Sequence, residues 1–281
     1  MMEPLVTVSD LHWKYIGSSR QALNGINFSL MPGEVLGVTG PSGAGKTTLA
    51  MTIDSLIPNN FHGEFSGSVR IKGNETTKYA VCDLVQEVGL VFQDPESQFM
   101  GMTVEEELVF TLENLGLSDD EITRRVDHAI RMVHMEDFLD RSPFSLSGGQ
   151  KQKVAIASCL ALEPSILVLD EPTSELDPIG TTEVFSVLQE LKKDRSIGII
   201  LISHATEDLA SFCDRILLLS EGEQICLRDT QEFFSDVPLL KEYGVQIPQI
   251  VEVFDALPGF DKKRIPITLS QAVSVYTESR S

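Results

Sequence analysis

The chain has 281 residues, of which 42% are hydrophobic and 7% aromatic, so it can build one large domain or two modest ones around a packed core. Its formal net charge of −20, from 42 acidic and 22 basic residues, argues against nucleic acid as a partner, because binding to a phosphate backbone needs basic surfaces. No signal peptide is recognisable and no apolar run reaches the roughly 20 residues of a spanning helix, so we expect any membrane role to act through a partner.

Five short runs along the chain are apolar throughout, which indicates strands covered on both faces, as in a parallel sheet. These runs are Val35–Thr39, Val88–Phe92, Ile166–Asp170, Gly198–Ser203 and Arg215–Leu219. Helical patterns alternate with them, so the sequence predicts an α/β core with a mostly parallel sheet. Ligands of such sheets bind beyond the carboxyl ends of the strands, and the residues that follow these runs are therefore the candidate site.

The first run is followed by GPSGAGKTT, which matches the phosphate-binding pattern GxxxxGK[ST]. The preceding strand and the following helical pattern argue against a plain glycine-rich turn. Glycines let successive N–H groups point into one concavity, Lys46 would reach the β- and γ-phosphates, and Thr47 would coordinate Mg²⁺. The predicted nucleotide-binding residues are Gly40, Pro41, Ser42, Gly43, Ala44, Gly45, Lys46, Thr47 and Thr48.

Gln93 follows the second run, where its amide could sense Mg²⁺ and an attacking water. From about residue 94 to 162 the pattern becomes helical. Thr103 with Glu106, and Ser118 with Glu121, fit capping boxes at helix starts. We therefore predict a helical subdomain inserted in the α/β core.

The stretch FSLSGGQKQKVAIA within this insertion contains no nucleophile, metal ligand or general base. Ser147 and Gln150 fit a capping box, and Gly148 and Gly149 leave the first amides of the helix uncovered, which predicts an anion-binding helix start. Because the loop at residues 40–47 already cradles a triphosphate, this second site is expected to serve nucleotide held by another subunit.

Polar residues also follow the third and fourth runs. Asp170 ends a strand and could hold Mg²⁺, while the adjacent Glu171 could orient or deprotonate an attacking water. His204 could donate a hydrogen bond to the γ-phosphate. By themselves, an acidic pair at a strand end is common on surfaces and a lone histidine there is more often structural; the phosphate-binding loop upstream favours the functional interpretation.

The sequence after about Thr230 becomes rich in proline and less periodic. This change predicts an ATPase domain at residues 1–230 and a small C-terminal appendage at residues 231–281. The appendage could serve dimerisation or be a stabilising extension.

These motifs occur in the order and spacing of ABC-type ATPase domains, which residues 3 to 230 resemble. The matching segments are the Walker A motif at 40–47, LSGGQ at 146–150, the Walker B motif at 166–170 with Glu171, the D-loop at 174–177, and His204. The resemblance implies an ABC-type P-loop NTPase fold with an antiparallel β part near the N-terminus. It also implies a head-to-tail dimer in which each of two ATP molecules lies between the Walker A motif of one subunit and LSGGQ of the other.

The same resemblance implies roles for single residues. Tyr15 would stack on adenine, Asp177 would belong to the nucleotide-binding set, and Gln93, Glu171 and His204 would be the catalytic residues. The metal ligands would be Thr47, Gln93 and Asp170, and the cofactors ATP and Mg²⁺.

A closer likeness is to the ATP-binding subunits of energy-coupling factor transporters, including their cobalt and nickel branch. It rests on FQDPESQF at residues 92–99, LDPIG at 176–180, and the tail that contains VPLLKEYGVQIPQI and PITLSQAV. It implies a peripheral protein on the cytoplasmic face of the cell membrane that drives import of a vitamin or transition-metal ion together with integral membrane subunits and a second ATPase, itself or a homologue. Two departures are SELD in place of SALD or SGLD, at Glu175, and GQKQK in place of GQKQR, at Lys153.

Two other interpretations compete with a transport motor. A soluble ABC ATPase for DNA repair or translation would be expected to carry a long coiled-coil insertion, two cassettes or a basic face. A catalytically silent partner of a heterodimer would be expected to lack hydrolytic residues, yet every motif position needed for hydrolysis is filled.

Overall fold

The computed structural model of the chain describes residues 3–79, 84, 86–258, 260–261 and 265–278. The strands in these ranges are β1 (Val6–Tyr15), β2 (Leu23–Leu30), β3 (Val35–Thr39), β4 (Gly63–Ile71), β5 (Asn74–Glu75), β6 (Val88–Val91), β7 (Ile166–Asp170), β8 (Gly198–Ile202), β9 (Arg215–Ser220) and β10 (Glu223–Asp229). The α-helices there are α1 (Lys46–Ile53), α2 (Leu56–Asn59), α3 (Val104–Asn114), α4 (Asp119–Met132), α5 (Gly148–Leu160), α6 (Pro178–Leu191), α7 (Thr206–Phe212), α8 (Thr230–Ser235), α9 (Val237–Glu242), α10 (Gln249–Ala256) and α11 (Leu269–Glu278).

The described strands form one mixed sheet in the order β5-β4-β1-β2-β10-β9-β3-β8-β7-β6. Its block β9-β3-β8-β7-β6 is parallel throughout. The five apolar runs are these five strands, so the predicted parallel α/β core is confirmed. The carboxyl ends of the block therefore meet at one edge, which is where the polar residues after each run are expected to gather.

The other end of the sheet is antiparallel. Strands β2, β1, β4 and β5 pair antiparallel in succession, which confirms the antiparallel part near the N-terminus. This part joins the rest through a parallel pairing of β2 with β10 at Asn24 and Glu223. Strand β1 ends at Tyr15, so the antiparallel part carries this residue of the predicted nucleotide site.

Successive side chains of each strand point to opposite faces of the sheet, and they pack into two hydrophobic clusters, one on each face. On β7, Leu167 and Leu169 join the cluster that contains α3 to α6, whereas Ile166 and Val168 join the cluster of α1 and the antiparallel strands. A strand that is buried on both faces has no polar positions, which explains the continuous apolar runs of the sequence.

The segment between β6 and β7 is helical, with α3, α4 and α5 in order. The Thr103 and Ser118 hydroxyls accept hydrogen bonds from the amides of Glu106 and Glu121, as predicted. In a capping box the glutamate side chain would also accept from the amide of the capping residue. Here the Glu106 carboxylate accepts from Met102 N, and the Glu121 carboxylate accepts from two arginines of α4.

The elements after Thr230 share the main core. Phe233 and Phe234 of α8, Val251 of α10 and the loop residue Ile265 are fully buried in the cluster that also contains the helical segment. Residues 259, 262–264 and 279–281 of the predicted appendage lie outside the described residues. A domain boundary near residue 231, like the limits of the helical subdomain, stays a prediction.

Candidate functional site

A cavity of about 600 Å³ opens at the carboxyl edge of the parallel strands. Most of the predicted site residues line it: Tyr15, residues 42–43 and 45–48, Gln93, Asp170, Glu171 and His204. Ala22 and Ser174 line it as well. Ser174 begins the D-loop identified by resemblance but was not among the predicted site residues, and nothing in the sequence singled out Ala22.

The loop between β3 and α1 depends on glycine at its two ends. Gly40 has φ 143°, and a Cβ there would lie 1.9 Å from the carbonyl oxygen of Leu219. Gly45 has φ 102°, and its Cβ would lie 2.3 Å from the carbonyl oxygen of Ala22. Any side chain at these positions would collide with backbone, so the loop can follow this path only with glycine.

The ammonium group of Lys46 uses its three N–H donors inside the protein. It donates to the carbonyl oxygens of Gly40 at 3.0 Å and Pro41 at 3.2 Å, and it lies 3.0 Å from Nε2 of His204. Burial lowers the pKa of Lys46, and the neighbouring carboxylates of Glu171 and Asp170 offset part of this effect. The lysine is therefore held at the mouth of the loop by three contacts with the protein.

The contact with the Lys46 ammonium group determines which ring nitrogen of His204 carries the proton. An ammonium group can only donate, so Nε2 of His204 accepts and the proton of the neutral ring lies on Nδ1. Burial first and the charge of Lys46 second lower the pKa of His204, which keeps the ring neutral.

Glu171 has one oxygen without a hydrogen bond. Its backbone has φ 53°, in the left-handed region that non-glycine residues rarely adopt. Oε2 accepts from the His204 amide at 3.4 Å, whereas Oε1 is buried without a partner although His204 Nε2 lies only 3.3 Å away. The tautomer of His204 explains this, because Nε2 has no proton to give. Burial raises the pKa of the Glu171 carboxyl.

Asp170 and Thr47 meet on the other side of the cavity. Asp170 is buried, which raises the pKa of its carboxyl, and a hydrogen bond from the Thr47 side chain partly offsets that rise. The two side chains thus place a carboxylate and a hydroxyl oxygen together beside the loop, and oxygens of this kind are what Mg²⁺ prefers.

The side chain of Gln93 is held by Glu175, which stands where the related ATPases usually have a small residue. Its amide nitrogen donates to Oε1 of Glu175 at 3.3 Å. Because a carboxylate only accepts, this bond orients the amide and leaves the carbonyl oxygen of Gln93 for other partners. A small residue at position 175 could not make this contact.

Tyr15 also lines the cavity. Its hydroxyl lies 3.1 Å from the hydroxyl of Thr48, and its ring packs edge-on against Trp13 and Phe61. An aromatic ring fixed in this way at the cavity edge can offer a stacking face to a planar base.

Other predicted residues do not line the cavity, namely Gly40, Pro41 and Ala44 of the loop and the set Ser147, Gly148, Gly149, Gln150 and Asp177. The predicted capping box forms, because Ser147 accepts from the Gln150 amide at 3.4 Å and Gln150 accepts from the Ser147 amide at 3.0 Å. Asp177 caps α6 by accepting from the amide of Gly180 at 2.7 Å. The helix start of α5 is thus exposed but lies apart from the chain's own cavity.

The described residues contain neither a cluster of metal-ligating side chains nor a helix that could span a membrane. No group of three or more histidine, cysteine, aspartate or glutamate side chains among them could hold a metal ion. No helix in these ranges is long and apolar enough to cross a membrane.

Comparison with known proteins agrees with this geometry. The family model described as ABC transporter matches residues 23–174. A curated protein of Pyrococcus abyssi, named as an ABC transporter ATP-binding protein, is 41% identical over 98% of this chain and 96% of its own length. The energy-coupling factor transporter ATP-binding protein EcfA1 of Lactococcus lactis is 40% identical over 88% of this chain and 87% of its own length.

A solved structure is also similar. The structure of cbiO1 from Clostridium perfringens, described as part of the ABC transporter complex cbiONQ, aligns with a TM-score of 0.76 at 31% identity. The alignment covers 90% of this chain and 99% of that chain.

Replacing Gly40 by alanine tests whether ATP binding depends on the close approach of the loop backbone to Leu219. The added Cβ would meet backbone at 1.9 Å, so the loop must move, and we expect the dissociation constant for ATP to rise at least about tenfold. A fluorescent ATP analogue would measure it by titration. Gly116→Ala is the control, because Gly116 also has positive φ but no atom within 4 Å of its Cβ. Equal affinity in Gly40→Ala and the wild type would contradict the role of this close approach.

Proposed function

The chain belongs to the ABC transporter family of ATP-binding proteins and is a transporter ATPase related to those of energy-coupling factor transporters, and we propose that it is the ATP-hydrolysing motor of a membrane import complex. The cargo class that we propose is a vitamin or a transition-metal ion. The observation that carries the hydrolytic part is the buried, unpartnered oxygen of Glu171 beside Lys46 and His204.

Hydrolysis follows from the positions of these side chains. Lys46 exchanges loop carbonyls for the β- and γ-phosphates. Release from Lys46 lets the ring proton of His204 move from Nδ1 to Nε2, which then donates to the γ-phosphate. Glu171 Oε1 accepts a proton from water as the oxygen of that water bonds to the γ-phosphorus. The bond from the γ-phosphorus to the bridging oxygen breaks, which leaves ADP and inorganic phosphate.

Mg²⁺ fits the donor set of the site. Thr47 and Asp170 supply a hydroxyl and a buried carboxylate in contact with each other, and the carbonyl oxygen of Gln93 remains available. The ion would neutralise charge on the phosphate oxygens during transfer. Thr47, Gln93 and Asp170 would hold it.

The sandwich of two subunits is supported by the position of LSGGQ. The start of α5 exposes Ser147 and Gly148 outside the cavity, although a helix start with free amides suits an anion. A second ATPase subunit, a copy of this chain or a homologue, would bring its own nucleotide to this helix start. Asp177, which precedes α6 in the adjacent turn, would lie at the same contact.

The membrane partner is proposed to dock beside Gln93. Met100 and Met102, exposed to 74% and 80%, lie on a loop that follows Gln93 by a few residues. The buried carboxylate of Glu107 accepts from the amides of Met100 and Gly101, both at 2.7 Å, and so holds the loop in place. Phe144 is also half exposed nearby in contact with Phe99. A rigid apolar surface of this kind suits an integral membrane subunit that reaches the cytoplasmic face.

Exchange of Glu171 for glutamine tests whether its carboxylate is the general base that takes the proton from the attacking water. We expect turnover to fall at least about 100-fold while ATP still binds and holds two subunits together, because the amide cannot take the proton. Phosphate release and light scattering with ATP would measure the two effects. Since the pKa of Glu171 is raised above its ordinary 4.5, turnover of the wild type should fall as pH drops through this raised value. Unchanged turnover in Glu171→Gln would remove Glu171 from this role.

Mixing two inactive variants tests the sandwich. Lys46→Ala disables the Walker A motif, and Ser147→Arg blocks LSGGQ. A mixed dimer would contain one site built from the two intact halves, so we expect about a quarter of wild-type ATPase activity in a 1:1 mixture. Each variant alone is the control. An inactive mixture would contradict a site shared between two copies of this chain.

The variant Met102→Glu tests the membrane docking surface. A charge at this apolar surface should reduce the share of the chain that sediments with its native membranes, while ATPase activity of the purified protein persists. Leu269→Glu, at a similarly exposed position on α11, is the matched control. If the wild type itself were recovered only in the soluble fraction, the import complex would be wrong and a soluble ABC ATPase would be favoured.

A further inference from the structure

We propose that Gly180 is a positioning residue for LSGGQ, because it lets the starts of α5 and α6 meet backbone to backbone. The contact would fix the helix start that completes the nucleotide site of a second copy of this chain. Gly180 is the last residue of LDPIG and does not line the chain's own cavity. The inference rests on the proposed sandwich of two subunits, with a copy of the same chain as the partner.

The second glycine of LSGGQ lies against Gly180. A Cβ added to Gly149 would lie 2.8 Å from the Cα of Gly180, closer than a side-chain carbon approaches backbone in proteins. Both residues are buried, whereas Gly148 is exposed. The two glycines of the motif therefore differ in their surroundings: Gly148 faces outward, and Gly149 permits the close approach of α6.

The contact is also close when it is measured from α6. A Cβ added to Gly180 would lie 3.4 Å from the Cα of Gly149 and 3.2 Å from Oδ1 of Asp177. The same Asp177 oxygen accepts from the amide of Gly180 at 2.7 Å and caps α6. A methyl group would thus be confined between this cap and α5, and a larger side chain must push the two helices apart.

The backbone conformation of Gly180 does not explain why the residue is glycine. It is the third residue of α6, and its φ does not lie in the left-handed region. Within a helix, glycine is less favourable than every other residue except proline. Alanine would favour α6, so the contact with α5 is what gives glycine an advantage at this position.

Two further contacts join the same segments. A Cβ added to Gly148 would lie 3.0 Å from Cδ2 of Leu176, the first residue of LDPIG. One turn further along, Lys153 of α5 pairs with Glu183 of α6 at 3.3 Å. The start of α5 thus contacts both ends of LDPIG and is tied to α6 behind them. A side chain at position 180 must therefore change where LSGGQ lies relative to α6.

Variants of Gly180 in the mixed dimer test this role. The mixture of Lys46→Ala and Ser147→Arg chains has one working site, with LSGGQ from the first chain and the Walker A motif from the second. Gly180→Leu in the Lys46→Ala chain displaces the working LSGGQ, so we expect the ATPase rate of the mixture to fall at least about tenfold. In the Ser147→Arg chain the same change lies beside the blocked LSGGQ, and the rate should stay within about twofold.

Three controls accompany this comparison. Gly180→Ala keeps the test valid if leucine prevents folding, because alanine favours the helix; we expect a fall of about threefold, again only in the Lys46→Ala chain. Thr182→Leu in that chain should leave the rate unchanged, since Thr182 is exposed on the same helix. The single variant Gly180→Leu should bind a fluorescent ATP analogue within about twofold of the wild type, because Gly180 lies outside the chain's own cavity.

The outcomes separate the inference from the proposal beneath it. If the unmodified mixture is active but Gly180→Leu lowers its rate equally in either chain, or in neither, the positioning role is wrong and the sandwich stands. If the unmodified mixture is inactive, a site shared between two copies of this chain is wrong, and the positioning role is wrong with it.

Discussion

The ammonium group of Lys46 organises the nucleotide site. Its three donors hold the carbonyl oxygens of Gly40 and Pro41 and the acceptor nitrogen of His204. This arrangement makes His204 neutral and leaves Nε2 without a proton, so Glu171 keeps a buried oxygen with no hydrogen bond. A buried carboxylate oxygen without a hydrogen bond costs stability, and it is also the kind of group that can take a proton from water. One charged contact therefore connects the shape of the phosphate-binding loop with the chemistry beside it.

The rest of the fold places the LSGGQ segment at the start of α5 away from this cavity. The helical segment between β6 and β7 carries the start of α5, while the parallel strands carry the cavity residues. The turn after Gln93 contacts both, through Glu96 and Phe99 on one side and Asp94 on the other. The turn therefore lies between the cavity and the helix start that, in the proposed sandwich of two subunits, serves the partner's nucleotide.

The two residues at which the sequence departs from the family pattern, Glu175 and Lys153, both contact another side chain of the same subunit. Glu175, which stands where a small residue is usual, accepts from the amide of Gln93. Lys153, in place of arginine, pairs with Glu183 across α5 and α6. Both residues therefore lie at contacts between segments of this one subunit. Their chemistry is explained without recourse to a partner chain.

Local and pattern-based features were readable from the sequence alone. The five apolar strands, the glycine loop and the serine cap of α5 each depend on residues close in sequence, because burial on both faces, positive φ and capping are short-range requirements. The sequence did not predict two contacts between distant residues: Lys46 with His204, 158 residues apart, and Glu96 with Lys151, 55 residues apart. It also did not predict that the carboxylates of Glu106 and Glu121 bond to groups other than their helix caps. Such contacts depend on how strands are ordered in the sheet and how helices pack on it, which arises from the summed burial of many side chains. The sequence by itself thus determined the elements and the family of chemistry, and the tertiary structure decided which charges face one another.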